Sequence, residues 1–211
     1  MIQILVVDDH PIVLQGCRRL LEDAGFANVL DAGDATAGYE LFCRHLPDVV
    51  IVDLSLRENS LAGLSLIERI KSRDPRARIL ALSMHQDPTI VAHALKAGAS
   101  GYILKDTAVE DLLKAIRTIQ QGESFMSPDL ALKVALARVS PLQNPLAELT
   151  PRELETLTLL AAGKSYSSIA EELKVGYKTI VNTASHLRRK LDAQNLTALI
   201  QKATQLLKGA Q

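Results

Sequence analysis

Cysteine is scarce in this sequence, and several other features that mark particular protein classes are missing. Only Cys17 and Cys43 occur among the 211 residues, each in a segment of helical pattern, which argues against a disulfide-stapled fold. No cationic stretch followed by an apolar signal core opens the chain, and no apolar run approaches the ~18 residues of a membrane span. We therefore expect a soluble, cytoplasmic protein that has no membrane partner.

Net charge is absent as well. The 24 Lys and Arg residues balance 24 Asp and Glu residues, so no overall field favours nucleic acid or a membrane surface. The distribution is uneven, however, because residues 1–124 carry a net charge of −4 and residues 148–211 a net charge of +3. With 47% hydrophobic and 23% charged residues, the chain has the balance of a folded protein of one or two domains.

Residues 1–121 alternate between short aliphatic runs and longer amphipathic segments, which is the pattern of strands alternating with helices. Several runs are almost entirely aliphatic, as expected for a parallel sheet covered by helices on both faces. Asp34 and Thr107 are typical of helix starts, and Gly25 and Gly98 of helix ends. We predict an α/β domain with a doubly wound, five-stranded parallel sheet, with strands at 2–7, 29–31, 49–53, 79–83 and 102–104 and helices near 11–24, 34–46, 61–73, 88–97 and 107–121.

Beyond residue 121 the pattern changes. Residues 122–147 are interrupted by glycine and proline and predict a linker with one helix at 128–139. Residues 148–211 predict a small all-α domain, whose first helix starts at a capping box formed by Thr150, Pro151 and Glu153. Its second and third helices are joined by a glycine-bearing turn, as in a helix-turn-helix, and the expected helices are 151–162, 166–173, 177–191 and 196–207.

Polar residues follow four of the predicted strands. The carboxyl ends of parallel strands share one edge of the sheet, so we expect these side chains to converge there. Three carboxylates placed together repel one another unless a cation compensates, and oxygen ligands suit Mg²⁺. An ammonium at the same edge suits a phosphate oxygen. The residues concerned are Asp8, Asp9, Asp53, Ser83 and Lys105.

The same residues, with the segments Val6–Pro11 and Gly98–Asp106, resemble the receiver domain of bacterial two-component response regulators over residues 1–121. The resemblance implies that Asp53 accepts a phosphoryl group from a sensor histidine kinase. Mg²⁺ would be held by Asp9, Asp53 and the backbone carbonyl of Ser55, with Asp8 acting mainly through water. It also implies contacts to the phosphoryl group from Lys105 and Ser83, and an inward rotation of Tyr102 behind Ser83.

One segment departs from the family pattern. Arg57 stands where the family usually has a proline, and Gly63 comes ten residues after Asp53 instead of eight. We therefore expect a loop that is two residues longer and less constrained. His85, two residues beyond Ser83, either orders water near the site or is a solvated loop histidine, and loop position favours the second interpretation.

The third helix of the C-terminal domain has two distinct faces. Apolar side chains recur at spacings of four, three and four, at Ile180, Ala184, Leu187 and Leu191. The opposite face has the composition of a recognition helix for the DNA major groove, and it carries Lys178, Asn182, Ser185 and Arg189. Arg188, Arg189 and Lys190 suit phosphate contacts. An ordinary amphipathic helix with a solvated polar face is the alternative.

This domain resembles the DNA-binding domain of the LuxR type in the segments 149–153, 169–173, 178–180 and 187–191. A receiver joined to it is the architecture of the NarL/FixJ-type transcriptional regulators, in which the last helix supplies a dimer surface. The segment starting at Lys178 and Thr179 matches closely. At the base-reading positions, where the family often has lysine and histidine, this chain has Val181, Asn182, Thr183 and Ser185. Asn182 can read adenine, and Val181 can contact a thymine methyl group.

These observations favour a phosphorylation-controlled, homodimeric transcription factor without enzymatic activity. The unphosphorylated receiver would mask or misplace the basic domain, and phosphorylation would release it. A second hypothesis is a receiver-controlled regulator whose helical domain binds a protein partner and has lost sequence-specific DNA binding. A third, an Asp-dependent phosphohydrolase, is disfavoured because Asp8 and Asp9 are adjacent and no lid-sized insertion occurs.

Overall fold

Five parallel strands form the central sheet of the N-terminal part, in the order β2-β1-β3-β4-β5. The computed structural model describes residues 2–56, 60–139 and 145–208. The strands are β1 (Gln3–Val7), β2 (Asn28–Ala32), β3 (Val49–Asp53), β4 (Ile79–Ser83) and β5 (Gly101–Leu104). The helices that follow them are α1 (Pro11–Asp23), α2 (Ala35–His45), α3 (Ala62–Arg73), α4 (Pro88–Ala97) and α5 (Val109–Gln120). The predicted doubly wound parallel sheet is confirmed.

Alternate strand residues enter two separate cores. Leu5 and Val7 of β1 pack with α2, α3 and α4 on one face, whereas Ile4 and Val6 pack with α1 and α5 on the other. This arrangement explains why the strands are aliphatic at successive positions, since neither face of the sheet meets water.

Most of the predicted helix ends are found, and one is not. The Asp34 side chain accepts hydrogen bonds from the amides of residues 36 and 37 at the start of α2, and Gly98 ends α4 with φ of +110°. Thr107 does not begin a helix. Its amide is bonded to the carbonyl of Leu104 in a turn, and α5 starts two residues later, after Ala108, without a side-chain cap.

The segment predicted to be a linker is folded against the N-terminal sheet. The amide of Tyr102 donates to the carbonyl of Phe125 (3.0 Å), so residues near Phe125 cover the outer edge of β5. Helix α6 (Pro128–Val139) follows and packs on α4, burying Leu130 and Val134. A 3₁₀ turn at Pro145–Glu148 leads into the C-terminal helices α7 (Pro151–Ala161), α8 (Tyr166–Glu172), α9 (Tyr177–Lys190) and α10 (Leu196–Lys208).

Helix α7 is buried on two faces. Leu154 and Leu157 lie in the core of the helical domain, as predicted, while Glu155 and Leu159 occupy a second buried face. This second face packs on α3 of the N-terminal domain, where the hydroxyl of Ser65 donates to a carboxylate oxygen of Glu155 at 2.9 Å. The two parts of the chain therefore share an interface built on α3 and α7.

Candidate functional site

The polar groups predicted at the edge of the sheet do lie together. Asp8 and Asp9 follow β1 and Asp53 ends β3, and ligand atoms from these three residues and from His10 all lie within 4.8 Å of one another. Asp8 and Asp53 are each 1% exposed. The parallel sheet produces this cluster, because it brings the carboxyl ends of β1 and β3 side by side.

Lys105 neutralises part of this charge. Its Nζ donates to Asp8 Oδ2 at 2.7 Å and to Asp53 Oδ2 at 2.8 Å. Burial raises the pKa of Asp53, against the opposing effect of its hydrogen bonds from Lys105 and from the Ser55 amide. Burial alone would lower the pKa of Lys105, but the hydrogen bonds to both carboxylates and their negative charges together outweigh burial and raise it. A charged ammonium is thus held directly beside the Asp53 carboxylate.

His10 is a member of the cluster that sequence reasoning assigned no role. Its Nδ1 lies 3.0 Å from Asp9 Oδ1 and 3.1 Å from Asp8 Oδ1. The signal available in the sequence was its position directly after the two aspartates. Three carboxylates lie together here and the Lys105 ammonium contacts only two of them, so the donor set has the composition of a site for a divalent cation.

Ser55 and His85 lie beside Asp53. The Ser55 amide donates to Asp53 Oδ1 at 3.0 Å, and Ser55 Oγ lies 3.3 Å from His85 Nε2. The favoured expectation of a solvated loop histidine is wrong, since His85 is half-buried and its pKa is lowered by that burial, against the opposing charges of Asp53 and Asp87. The strand end that carries Ser83 holds the histidine here, with the His85 amide donating to Ser83 Oγ at 3.1 Å.

Tyr102 lies inside the protein in this structure. The side chain is fully buried, and its hydroxyl donates to the carbonyl of His85 at 2.8 Å. Burial raises the pKa of the phenol, against a hydrogen bond to Ser83 that lowers it. Tyr102 therefore connects strand β5 to Ser83 at the end of β4 and to His85 in the loop that follows.

The long loop after Asp53 is more constrained at its end than its length suggested. Arg57 lies outside the described residues. Gly63 approaches Asp53 so closely that a Cβ atom would lie 2.1 Å from the Asp53 carbonyl oxygen, and its amide donates to the carbonyl of Leu54 at 3.1 Å. Ser60 Oγ also donates to the carbonyl of Leu56. The first turn of α3 is thus fixed against the end of β3, and no side chain could replace the glycine hydrogen there.

The two faces of α9 are arranged as predicted. Ile180, Ala184, Leu187 and Leu191 are buried, and the helix packs against α7, α8 and α10. The predicted DNA-contacting residues are exposed or half-buried at the surface: Lys178, Thr179, Asn182, Arg189 and Lys190 are exposed, and Val181, Ser185 and Arg188 are half-buried. A receiver that masks this face, one of the two expected modes of inhibition, is therefore not found in the described part of the chain.

Lys190 has a partner within its own domain. Its Nζ donates to Glu153 Oε2 at 2.7 Å and to the carbonyl of Glu148 at 3.2 Å. Glu153 is the acidic member of the capping box, in which its carboxylate accepts from the Thr150 amide and its own amide donates to Thr150 Oγ1. Lys190 consequently braces the start of α7 as well as ending α9.

Comparison with known proteins agrees with this geometry. Residues 4–117 match the family described as response regulator receiver domain, and residues 147–203 match the bacterial regulatory proteins of the luxR family. The methanol utilization control regulatory protein MoxX of Paracoccus denitrificans is 36% identical over 208 residues, covering 99% of this chain and 93% of the relative. The oxygen regulatory protein NreC of Staphylococcus epidermidis is 34% identical over 212 residues, covering 95% and 96%.

Solved structures are similar over nearly the whole chain. RcsB of Salmonella enterica serovar Typhimurium, bound to promoter rprA in the presence of the phosphomimetic BeF₃⁻, superposes with a TM-score of 0.69 at 30% identity, covering 96% of this chain and 98% of that one. A LuxR-family two-component response regulator from Aurantimonas sp. SI85-9A1 is 42% identical, with a TM-score of 0.61, over 65% of this chain and 98% of its own. The chain belongs to the NarL/FixJ-type response regulators, which join a receiver domain to a LuxR-type DNA-binding domain. Among residues 2–56, 60–139 and 145–208, no helix is long and apolar enough to cross a bilayer.

Proposed function

We propose that Asp53 is the phosphoryl acceptor of this response regulator and that its modification controls promoter binding by α9. A carboxylate oxygen of Asp53 attacks the phosphorus of a phosphohistidine on the sensor kinase. The new O–P bond forms as the P–N bond breaks, and the histidine leaves with the electron pair and takes up a proton. The phosphoryl group remains on this chain, so we propose a regulator and not an enzyme that turns over a substrate.

The acidic cluster would hold Mg²⁺ through Asp8, Asp9, Asp53 and the backbone carbonyl of Ser55. The fit rests on the oxygen donors gathered within 4.8 Å and on their partial neutralisation by a single ammonium. Bound Mg²⁺ would supply positive charge against the negative charge that builds up on the transferring phosphoryl oxygens. Asp8, which is fully buried against Lys105, would act on the ion mainly through water.

Phosphorylation would then rearrange the residues around the site. The new group brings charge and acceptor oxygens, and Lys105 and the Ser83 hydroxyl are the nearby donors able to meet them. Turning Ser83 toward the phosphoryl group would disturb its bond from the His85 amide, and Tyr102 is bonded to the same histidine. Strand β5 and the loop after β4 would therefore respond together.

A route to the DNA-binding domain starts at the other side of Asp53. The Asp53 carbonyl touches the backbone of Gly63, and Ser65, two residues along the same helix, bonds to Glu155 of α7. Movement at the start of α3 would weaken the α3–α7 interface and free the helical domain. While that interface is intact, which we call the closed arrangement, the helical domain would be misplaced for binding DNA as a dimer. Freed domains would pair as a homodimer whose recognition helices read half-sites about one DNA turn apart.

The polar face of α9 would make the DNA contacts. Asn182 and Val181 would read base edges together with Ser185, and the helix start at Lys178 and Thr179 would approach the phosphates. At the other end of α9, Arg188, Arg189 and Lys190 would contact the sugar-phosphate backbone, in the case of Lys190 by exchanging its bond to Glu153 for a phosphate oxygen. We place these events in the cytoplasm and keep the boundaries 1–121, 122–147 and 148–211 for receiver, linker and DNA-binding domain.

The observation that carries the proposal is the ammonium of Lys105 held between the carboxylates of Asp53 and Asp8. The test is selection from random duplex DNA with the full chain, with and without beryllofluoride and Mg²⁺, beside Asp53→Asn. We expect one enriched motif and tighter binding with beryllofluoride, and no response in Asp53→Asn. A response that persists in Asp53→Asn would remove Asp53 from the mechanism, and recovery of no motif would favour a protein partner for the helical domain.

A further inference from the structure

Aromatic side chains are rare in this protein, and one of them is exposed at the start of the recognition helix. The sequence has three Phe, four Tyr and no Trp. All seven lie in the described part of the chain. Six of them are buried or half-buried, and Tyr177 is 56% exposed. It is the first residue of α9, directly before Lys178 and Thr179.

The ring of Tyr177 has a partner. Tyr166, the first residue of α8, lies edge-on to it, with ring centroids 6.3 Å apart and an interplanar angle of 61°. Such edge-to-face pairs are favourable beyond the area that they bury. The pair therefore joins the starts of the two helices of the helix-turn-helix and restricts the exposed ring of Tyr177 on one side.

The starts of these two helices are the places where a helix-turn-helix meets its DNA. The first helix crosses the sugar-phosphate backbone, and the N-terminal residues of the second enter the major groove. A tyrosine hydroxyl can donate to a phosphate oxygen, and a ring already held in place loses little conformational freedom on binding. The neighbouring Lys178 and Thr179 are exposed beside it, so the surroundings favour an anionic partner.

We infer that Tyr177 is an additional DNA-contacting residue whose phenol donates to a backbone phosphate, and that Tyr166 is the residue that positions it. This inference rests on the proposed use of α9 in DNA binding. It supplies a phosphate contact at the helix start, ahead of the uncharged residues Val181, Asn182 and Thr183.

The test uses the full chain with two duplexes, the one enriched by the wild-type protein and a shuffled version. Tyr177→Phe removes only the hydroxyl. Because a phosphate contact is independent of sequence, we expect affinity for both duplexes to fall by the same factor, roughly three- to tenfold for one hydrogen bond to a charged group. Because the phenol is neutral, the dependence on salt is unchanged, whereas Lys178→Ala lowers the log–log salt slope by about 0.9. Tyr39→Phe, in the receiver under the guanidinium of Arg69, is the matched control and leaves both affinities unchanged.

Tyr166 is tested by two substitutions. Tyr166→Leu removes the ring partner and is expected to weaken DNA binding as Tyr177→Phe does. Tyr166→Phe keeps the ring, so its affinity for DNA should equal that of the wild type. Wild-type affinity of Tyr177→Phe for both duplexes would overturn the inference, and a loss confined to the enriched duplex would overturn the phosphate contact in favour of a base. Failure of the proposed function gives a different result. In that case the wild-type chain enriches no motif, and Asn182→Ala does not change the affinity for DNA.

Discussion

The hydroxyl of Ser65 in the receiver donates a 2.9 Å hydrogen bond to the carboxylate of Glu155 in the DNA-binding domain. Glu155 is 2% exposed and also accepts from Arg152 Nη1 at 2.8 Å within its own domain. If the domains separate as proposed, the buried carboxylate would keep Arg152 as a charged partner, which would lower the free-energy penalty for breaking the contact with Ser65.

Replacing Ser65 should therefore loosen the closed arrangement and leave both domains folded. Ser65→Ala removes one hydrogen bond, of about 1 kcal/mol, and is expected to shift the opening equilibrium roughly fivefold. Hydrogen exchange in α3 and α7 should rise, and the unphosphorylated chain should bind the enriched duplex more tightly. Ser72→Ala, which loses only a local bond to the Glu68 carbonyl on the same helix, is the control. Identical exchange in the two variants would argue against the interface as the point of release.

Removing the ammonium of Lys105 should make the stability of the receiver depend on a divalent cation. In Lys105→Gln the buried carboxylates of Asp8 and Asp53 lose their positive partner, a change that costs about 3–5 kcal/mol when one member of a buried pair is removed. In EDTA we expect a lower thermal midpoint for Lys105→Gln than for the wild type. Mg²⁺ should raise the midpoint of the variant by more than it raises that of the wild type. Lys114→Gln, at an exposed position on α5, should show neither effect. An equal response to Mg²⁺ in all three proteins would contradict a cation site at these carboxylates.

Acid should destabilise the protein through His93. This buried residue of α4 donates from Nε2 to the Leu146 carbonyl at 2.7 Å, and its Nδ1 has no hydrogen-bond partner within the described residues. Burial and the nearby Lys96 lower the pKa of His93, against the Leu146 bond and Asp87, which raise it. The unfolded chain therefore takes up a proton near pH 6.5 that the folded chain resists, so the free energy of unfolding falls as the pH drops below that value.

The contribution of His93 can be isolated with His93→Gln, whose side-chain amide can still donate to the Leu146 carbonyl. Urea unfolding between pH 8 and pH 5 should show a shallower loss of stability in the variant, by at most about 1.4 kcal/mol per pH unit. His85, whose pKa is also lowered, contributes equally to both proteins. Parallel pH profiles would show that His93 takes up its proton as readily in the folded state as in the unfolded one.

Lys190 and Arg189 are both proposed to contact the DNA backbone, but they should differ in their effect on stability. Lys190→Met loses the bond to Glu153 Oε2 and the support of the capping box, so we expect the DNA-binding domain to lose up to about 1 kcal/mol of stability. Arg189→Met, at an exposed position with no such bond in the described structure, should leave the thermal midpoint unchanged and lower the salt slope of DNA binding by about 0.9. A lower thermal midpoint in Arg189→Met, or an unchanged one in Lys190→Met, would contradict this difference.

Features fixed by local chemistry were predictable from the sequence. The capping box of Thr150 and Glu153 needs only residues three apart, and it is found. The meeting of Asp8, Asp53 and Lys105 was also predictable, because parallel strands place all their carboxyl ends at one edge. Thr107 was misplaced, because a turn after β5 competes for the same residue and the sequence alone does not reveal which bond its amide makes.

The chain's own alternation of aliphatic and polar residues determined the sheet and the helix-turn-helix, since each arises from a short repeat along the chain. The acidic edge followed from the sheet, because parallel strands bring their carboxyl ends to one edge whatever their separation in sequence. Only the tertiary structure decided that α7 is buried on both faces, that His85 closes over Ser55 and that Lys190 is held by Glu153. These contacts join residues 30 to 90 positions apart. Packing between whole elements selects them, and no local pattern in the sequence records which surfaces will meet.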